Sequence, residues 1–159
     1  MGKILAIDQS KCTACRMCEL ACSMKTTGEF NPATSRIQLS IFDDDAFYLP
    51  VVCTQCDEAW CAEVCPSTAI RRDESVGALV VDNARCIGCR MCTMACPFGT
   101  IMYDSKQGKA IKCDNCNGEP ECIPFCPTGA IRYEAVDASG AKKRKALAKQ
   151  MMAAREVKA

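Results

Sequence analysis

Cys86-Ile87-Gly88-Cys89-Arg90-Met91-Cys92-Thr93-Met94-Ala95-Cys96, followed directly by Pro97, is the stretch whose reading decides the fold. Its first three cysteines fall at intervals of three, and Cys96 follows four positions on. The pattern C-x2-C-x2-C-x3-C-P supplies thiolates to [4Fe-4S] clusters. Three close cysteines can grip three irons of one cubane from a single loop. The fourth, aimed elsewhere by the helical turn it opens, is free to serve a second cluster.

Working outward, three more quartets appear, and they account for all 16 cysteines of the 159-residue chain. The first is Cys12, Cys15, Cys18 and Cys22, in which Ser23 stands where proline is expected. The second is looser, Cys53, Cys56, Cys61 and Cys65, with Pro66 after it and Trp60 beside its third cysteine. That tryptophan is expected to shield the metal from water. The fourth is Cys113, Cys116, Cys122 and Cys126, followed by Pro127. The first and third quartets are alike: Ile7-Asp-Gln-Ser-Lys-Cys12 matches Val81-Asp-Asn-Ala-Arg-Cys86, and Arg-Met follows both Cys15 and Cys89. The second and fourth are alike as well, since Cys65-Pro-Ser-Thr-Ala-Ile-Arg71 echoes Cys126-Pro-Thr-Gly-Ala-Ile-Arg132. The chain reads as a duplicated two-cluster unit.

Composition excludes the other uses of so many cysteines. A disulfide framework calls for an oxidising compartment and a secretory signal, and Met1–Asp8 turns acidic too early to be one. Zinc sites usually come as separated pairs, often with histidine, and the chain has no histidine. No apolar run approaches the roughly 18–20 residues needed to span a bilayer, so direct membrane insertion is not expected. The formal charge of +1 counts thiols as neutral. Four cubanes, each about −2 with its thiolates, bring the loaded protein to roughly −7, which argues against nucleic acid as a partner. With 6% aromatic residues the apolar core is modest, and metal is expected to supply much of the folding energy.

Between the quartets the pattern is of short strands. Lys3–Asp8 leads into the first quartet as a strand. Arg36–Phe42 alternates as a half-buried strand does, Asp43–Asp45 turns, and Ala46–Val52 returns. Thr68–Asp73 with Ala78–Asp82, and Thr100–Asp104 with Lys109–Lys112, read as two further hairpins. The fold class is therefore α+β: short β-hairpins and helical turns around the cysteine quartets, plus a C-terminal helix. The domain over residues 1–137 carries the clusters, and 138–159 is a basic helix or tail in which Leu147, Met151 and Ala154 fall at helical spacing. Lys142-Lys-Arg-Lys145 either stays solvated or docks on an acidic, cluster-bearing protein, a catalytic partner or a second copy of this chain.

Sixteen cysteines make four complete cubane ligand sets with none missing and none left over. Enzymes that act on substrate at such a cluster leave one iron without a cysteine. There is also no spare thiol, no histidine, no G-x-G-x-x-G and no phosphate-binding loop. No catalytic residue is assigned. A fully thiolate-ligated cluster changes its charge by one electron, and four in so small a chain read as a wire.

Four quartets of these spacings resemble the four-cluster iron–sulfur subunits of the dimethyl sulfoxide reductase and formate dehydrogenase group, over residues 3–134. The Cys22-Ser-Met-Lys and Gly28-Glu-Phe-Asn-Pro32 segments are most similar to small subunits accompanying tungsten-containing aldehyde oxidoreductases. The resemblance implies a large molybdenum, tungsten or nickel catalytic subunit as partner, with a flavin subunit or ferredoxin as the further carrier, in the cytoplasm. A free-standing polyferredoxin, or a subunit of a formate dehydrogenase or hydrogenase, is the alternative. The resemblance also implies an α+β fold of two ferredoxin-like dicluster lobes, formed by crosswise pairing of quartets, first with fourth and second with third. Cys12, Cys15, Cys18 and Cys126 would hold one cluster, and Cys22, Cys113, Cys116 and Cys122 its neighbour. Cys53, Cys56, Cys61 and Cys96 would hold the third, and Cys65, Cys86, Cys89 and Cys92 the fourth. Spacing alone leaves pairing in chain order open as well.

Overall fold

The computed structural model describes residues 3–135, and the expected C-terminal helix of 138–159 lies outside them. Among the described residues, eight short strands and three α-helices, besides three 3-10 turns, follow in order: β1 (Lys3–Ile7), α1 (Met17–Thr27), β2 (Ile37–Phe42), β3 (Phe47–Val52), α2 (Trp60–Glu63), β4 (Ile70–Arg72), β5 (Leu79–Val81), α3 (Met91–Ala95), β6 (Met102–Asp104), β7 (Lys109–Ile111) and β8 (Ile131–Ala135). The architecture is α+β and ferredoxin-like. Its strands make four separate antiparallel pairs, β1 with β8, β2 with β3, β4 with β5, and β6 with β7.

Three of these pairs are local hairpins whose turns are written in the sequence. Asp73 Oδ1 accepts the backbone N–H groups of Ser75 and Val76, which curls the β4–β5 turn before Gly77 (φ 69°). Asp104 Oδ1 does the same for Lys106 and Gln107 in the β6–β7 turn. An aspartate that bonds the backbone two residues on imitates a turn by itself. The β2–β3 pair runs in register from Ile37 opposite Val52 to Phe42 opposite Phe47. The fourth pair is of another kind, because β1 lies against β8 with Lys3 opposite Ala135 and Ile7 opposite Ile131. It ties the first quartet to the segment that follows the fourth.

Two cores result. Leu5, Ile37, Val52 and Ile131 pack with Cys18, Cys22, Cys53, Cys113 and Cys122. Ala59, Ala69, Ile70, Leu79, Ile101 and Ala110 pack with Cys86 and Cys92, and Cys61, Cys65 and Cys96 border them. The cysteines are part of both cores rather than decoration on them. Among the described residues no helix is long and apolar enough to cross a membrane.

Candidate metal centres

In each quartet the residue just before the second cysteine takes a left-handed backbone: Ala14 (φ 55°), Gln55 (54°), Gly88 (71°) and Asn115 (57°). That kink turns the loop back on itself so that its sulfurs converge. Only one of the four is a glycine, which is otherwise the default at positive φ. At Gly88 the requirement is also steric, because a Cβ there would lie 2.3 Å from the Gly108 carbonyl oxygen.

Three small cavities are each lined by four cysteines, three from one quartet and the fourth from another. Cys12, Cys15 and Cys18 share a cavity with Cys126, walled by Leu39 and Pro50 of the β2–β3 hairpin. Cys53, Cys56 and Cys61 share one with Cys96, walled by Trp60, Leu79 and Phe98. Cys86, Cys89 and Cys92 share one with Cys65. Cys22, Cys113 and Cys122 gather in one core, with Cys116 in the same loop as Cys113. Trp60 forms one wall of its cavity and is 65% exposed, so it screens the site from one side.

Two electrostatic kinds stand out among the sulfurs. Burial pushes the Cys18 thiol up to about 12, and the Glu19 carboxylate adds to the effect. Burial likewise pushes Cys113 up to about 12 and Cys122 higher. Such thiols ionise only when metal takes the proton's place, so loading must release protons. Cys65, Cys96 and Cys126, each before a proline, go the other way. Burial opposes ionisation there too, but hydrogen bonds to the sulfur outweigh it and lower all three. The donors are hydroxyls (Ser67, Thr100, Thr128) and the backbone N–H groups of the tight turn after each proline.

The donor set fits iron–sulfur clusters. Each of the three cavities offers four soft thiolates in a mainly apolar wall with no carboxylate or histidine, as such clusters prefer. The only charges lining them are Arg16 and Arg90, at equivalent positions. Among the described residues no three His, Cys, Asp or Glu side chains converge tightly enough for a single metal ion.

Sequence reasoning missed Gln55 and Asn115, the buried polar residues behind the second and fourth quartets. Gln55 Nε2 donates to the Cys113 carbonyl (2.9 Å) and toward Asn115 Oδ1 (3.5 Å), and Gln55 Oε1 accepts the Leu79 N–H (2.8 Å). Asn115 Nδ2 reaches the Lys3 carbonyl (3.3 Å). The signal was their shared place in C-x-Gln-C and C-x-Asn-C, which makes them counterparts under the duplication.

A ferredoxin-like fold whose cysteines converge in fours defines an iron–sulfur electron-transfer protein. Residues 44–136 match the model of the 4Fe-4S dicluster domain and residues 9–25 that of a 4Fe-4S binding domain. The chain belongs to the 4Fe-4S dicluster family, and its sixteen cysteines match four [4Fe-4S] clusters. Relatives include the polyferredoxin-like subunit of an aliphatic sulfonate oxidoreductase from Pyrococcus furiosus, 36% identical over 75% of this chain and 68% of that one. The probable anaerobic dimethyl sulfoxide reductase chain YnfG of Escherichia coli is 40% identical over 69% and 59%. The beta subunit of an NADH-dependent phenylglyoxylate dehydrogenase from Aromatoleum evansii is 37% identical over 76% of this chain but 27% of its own. The chain thus spans well under two thirds of these last two. The BamBC active-site complex of benzoyl coenzyme A reductase, with zinc, shares the fold at a TM-score of 0.50, with 23% identity over 99% and 98% of the two chains.

Proposed function

We propose that this chain is the non-catalytic electron-transfer subunit of an oxidoreductase complex, in which four [4Fe-4S] clusters form one wire. The observation that carries this reading is the serial contact of the cysteine sets. Cys18, Cys22, Cys53, Cys113 and Cys122, drawn from three of the four sets, pack in one core. The third and fourth sets meet in one core. When bound, each cluster supplies reversible one-electron transfer. The ligand sets are Cys12, Cys15, Cys18 and Cys126; Cys22, Cys113, Cys116 and Cys122; Cys53, Cys56, Cys61 and Cys96; and Cys65, Cys86, Cys89 and Cys92. The first two belong to one lobe and the last two to the other, within a domain of residues 1–137, and 138–159 is a separate basic tail.

The protein's own part is to hold and tune these sets. Leu39, Pro50, Leu79 and Phe98 exclude water from the cavities, while the N–H and O–H donors at Cys65, Cys96 and Cys126 spread the thiolate charge. The partner is a large catalytic subunit with molybdenum or tungsten, with a tungsten aldehyde oxidoreductase as the first choice, and a flavin subunit or ferredoxin as the other carrier. The names of the relatives, several of them subunits of larger oxidoreductases, support that kind of partner. Sixteen reduced thiols must meet iron together, which favours the cytoplasm.

Anaerobically prepared protein is expected to carry about 16 iron and 16 sulfide, to exchange electrons with low-potential dyes, and to convert no aldehyde or formate. Half that iron in a well-loaded sample, or turnover by the purified chain, overturns the reading. Cys22→Ser is expected to disturb the cluster of Cys113, Cys116 and Cys122. A disturbance at the Cys53 set instead favours pairing in chain order. Co-purification with a large metal-containing subunit separates the subunit from a free-standing polyferredoxin.

A further inference from the structure

The position before the second quartet is Val52, and its counterpart before the fourth is Lys112. Both are buried, Lys112 with 2% of its surface exposed. At this interior point the duplication is broken by a charge. Lys112 Nζ donates to the Leu79 carbonyl, to the Cys113 carbonyl (3.0 Å) and toward Gln55 Oε1 (3.4 Å). Three acceptors take the three protons of an ammonium. A neutral amine would turn a lone pair toward one of those oxygens. Among the described residues no ion pair involves Lys112. A buried charge paired only with dipoles is costly unless something nearby of opposite charge offsets it.

The three bonds place the ammonium between the two inner cysteine sets. Cys113 belongs to one, and Leu79 lines the cavity of the other, that of Cys53, Cys56, Cys61 and Cys96. We infer that Lys112 is a potential-setting residue, whose fixed positive charge favours the reduced state of the cluster held by Cys53, Cys56, Cys61 and Cys96. The inference rests on the cysteine sets proposed above. Two of the three acceptors of Lys112 belong to that set's surroundings, Gln55 in the loop between Cys53 and Cys56 and Leu79 in the cavity wall, which marks this set as the one it serves. An added electron makes a cluster more negative by one unit. A cation in a low-dielectric interior lowers the free energy of that change far more than one at the surface would. With valine on the equivalent side, this charge biases an electron in the middle of the wire toward the Cys53 side.

The test is a redox titration of the loaded protein followed by electron paramagnetic resonance. Cys61→Ser and Cys96→Ser first identify the signal of this cluster, since each alters one of its ligands. In Lys112→Gln with full iron content, the reduced-to-oxidised ratio of that cluster at a fixed potential is expected to fall at least tenfold, about 59 mV for one electron. The outer clusters stay within threefold, and Lys112→Arg, which keeps the charge, stays close to the parent. Lys112→Met serves where the glutamine variant loads poorly. A shared Cys61 and Cys96 signal that the neutral variants leave in place overturns the inference alone. Separate signals for Cys61 and Cys96 overturn the cysteine sets and the inference with them. Loss of iron from both neutral variants but not from Lys112→Arg makes Lys112 a structural residue, and the inference falls.

Discussion

The first and third quartets start alike and end differently. Cys15-Arg-Met-Cys18 and Cys89-Arg-Met-Cys92 both place an arginine in the left-handed region (Arg16 φ 60°, Arg90 φ 64°) and then begin a helix. α3 stops after five residues, with Cys96 already extended (φ −75°, ψ 113°), because the residue before a proline is forced out of the helical region. α1 runs for eleven, through Cys22 and Ser23, and ends at left-handed Gly28 (φ 75°), whose N–H closes on the Met24 carbonyl. One residue, Ser23 against Pro97, sets the difference. Its consequence is how the fourth sulfur is held. Cys96 is served by its own turn through Thr100, whereas Cys22 accepts the N–H of Arg36, fourteen residues away (3.3 Å). The same ligand role is local in one region and dependent on an inserted hairpin in the other.

The largest test of that contrast is Ser23→Pro. Ser23 is fully buried, and its Oγ donates to the Leu20 carbonyl and accepts the Asn31 N–H. A proline there removes a helical hydrogen bond and that anchor, at about 3 kcal/mol or more. The variant is expected to lose one cluster's worth of iron and to unfold at lower temperature in thermal scans. Pro97→Ser should keep its iron, because the turn that serves Cys96 also rests on Gly99 and Thr100. Full iron in Ser23→Pro would show that the longer helix is incidental to the metal.

Second in size is the kink before the second cysteine. Gly88→Ala drives a Cβ onto a backbone carbonyl that a rotamer change cannot move aside, and about 2–3 kcal/mol is expected. The counterpart, Ala14→Gly, keeps the same left-handed φ without a Cβ and should change stability by no more than about 0.5 kcal/mol. Chemical denaturation of the loaded proteins separates the two. Equal effects would mean that the two loops are held by the same contacts after all.

Much of this was legible in the sequence where the cause is local. The quartets, the hairpin turns at Asp73 and Asp104, and the departure at Ser23 all lie in short windows. What was not legible depends on partners far along the chain. The β1–β8 pairing joins residues more than a hundred positions apart, and nothing in Lys3–Ile7 names its partner. The grouping of Cys126 with Cys12, Cys15 and Cys18 follows from that pairing. Gln55 and Asn115 look like ordinary polar loop residues until the two halves close over them. Trp60 is adjacent to Cys61 in sequence and lines the cavity, but most of its surface faces solvent, which adjacency could not reveal.

Third is the acidic residue of α1. Glu19, 3% exposed, accepts the Leu39 N–H (2.8 Å) and so pins the β2–β3 hairpin over the first cavity. Its counterpart, Thr93, turns its hydroxyl back to the Arg90 carbonyl within its own helix (2.7 Å). Glu19→Ala leaves a backbone donor unpaired and should cost about 1–2 kcal/mol, with faster loss of the first cluster in air as Leu39 and Pro50 lift. Thr93→Ala should fall within about 0.5 kcal/mol. Comparable losses in both would remove the hairpin from the explanation.

The smallest expected effect concerns the arginines that open the two helices. Arg16 lies 3.8 Å from Glu19, an exposed cation beside a buried carboxylate. Arg90 instead stacks on Tyr103, with its guanidinium carbon 3.8 Å from the ring centroid. Both side chains line their cysteine cavities, so each covers a site while being held by a different force. The Arg16 pair is Coulombic and half in water, so it should weaken as salt rises. The Arg90 contact combines ring quadrupole with packing, worth about 0.5–1 kcal/mol at an exposed site, and salt should change it less. A double-mutant cycle on Arg90→Ala and Tyr103→Leu, repeated at low and high salt, reads that coupling directly. A matching cycle on Arg16 and Glu19 supplies the contrast. Couplings that fall together with salt would show that both arginines act only as charges, and that the ring under Arg90 is filler.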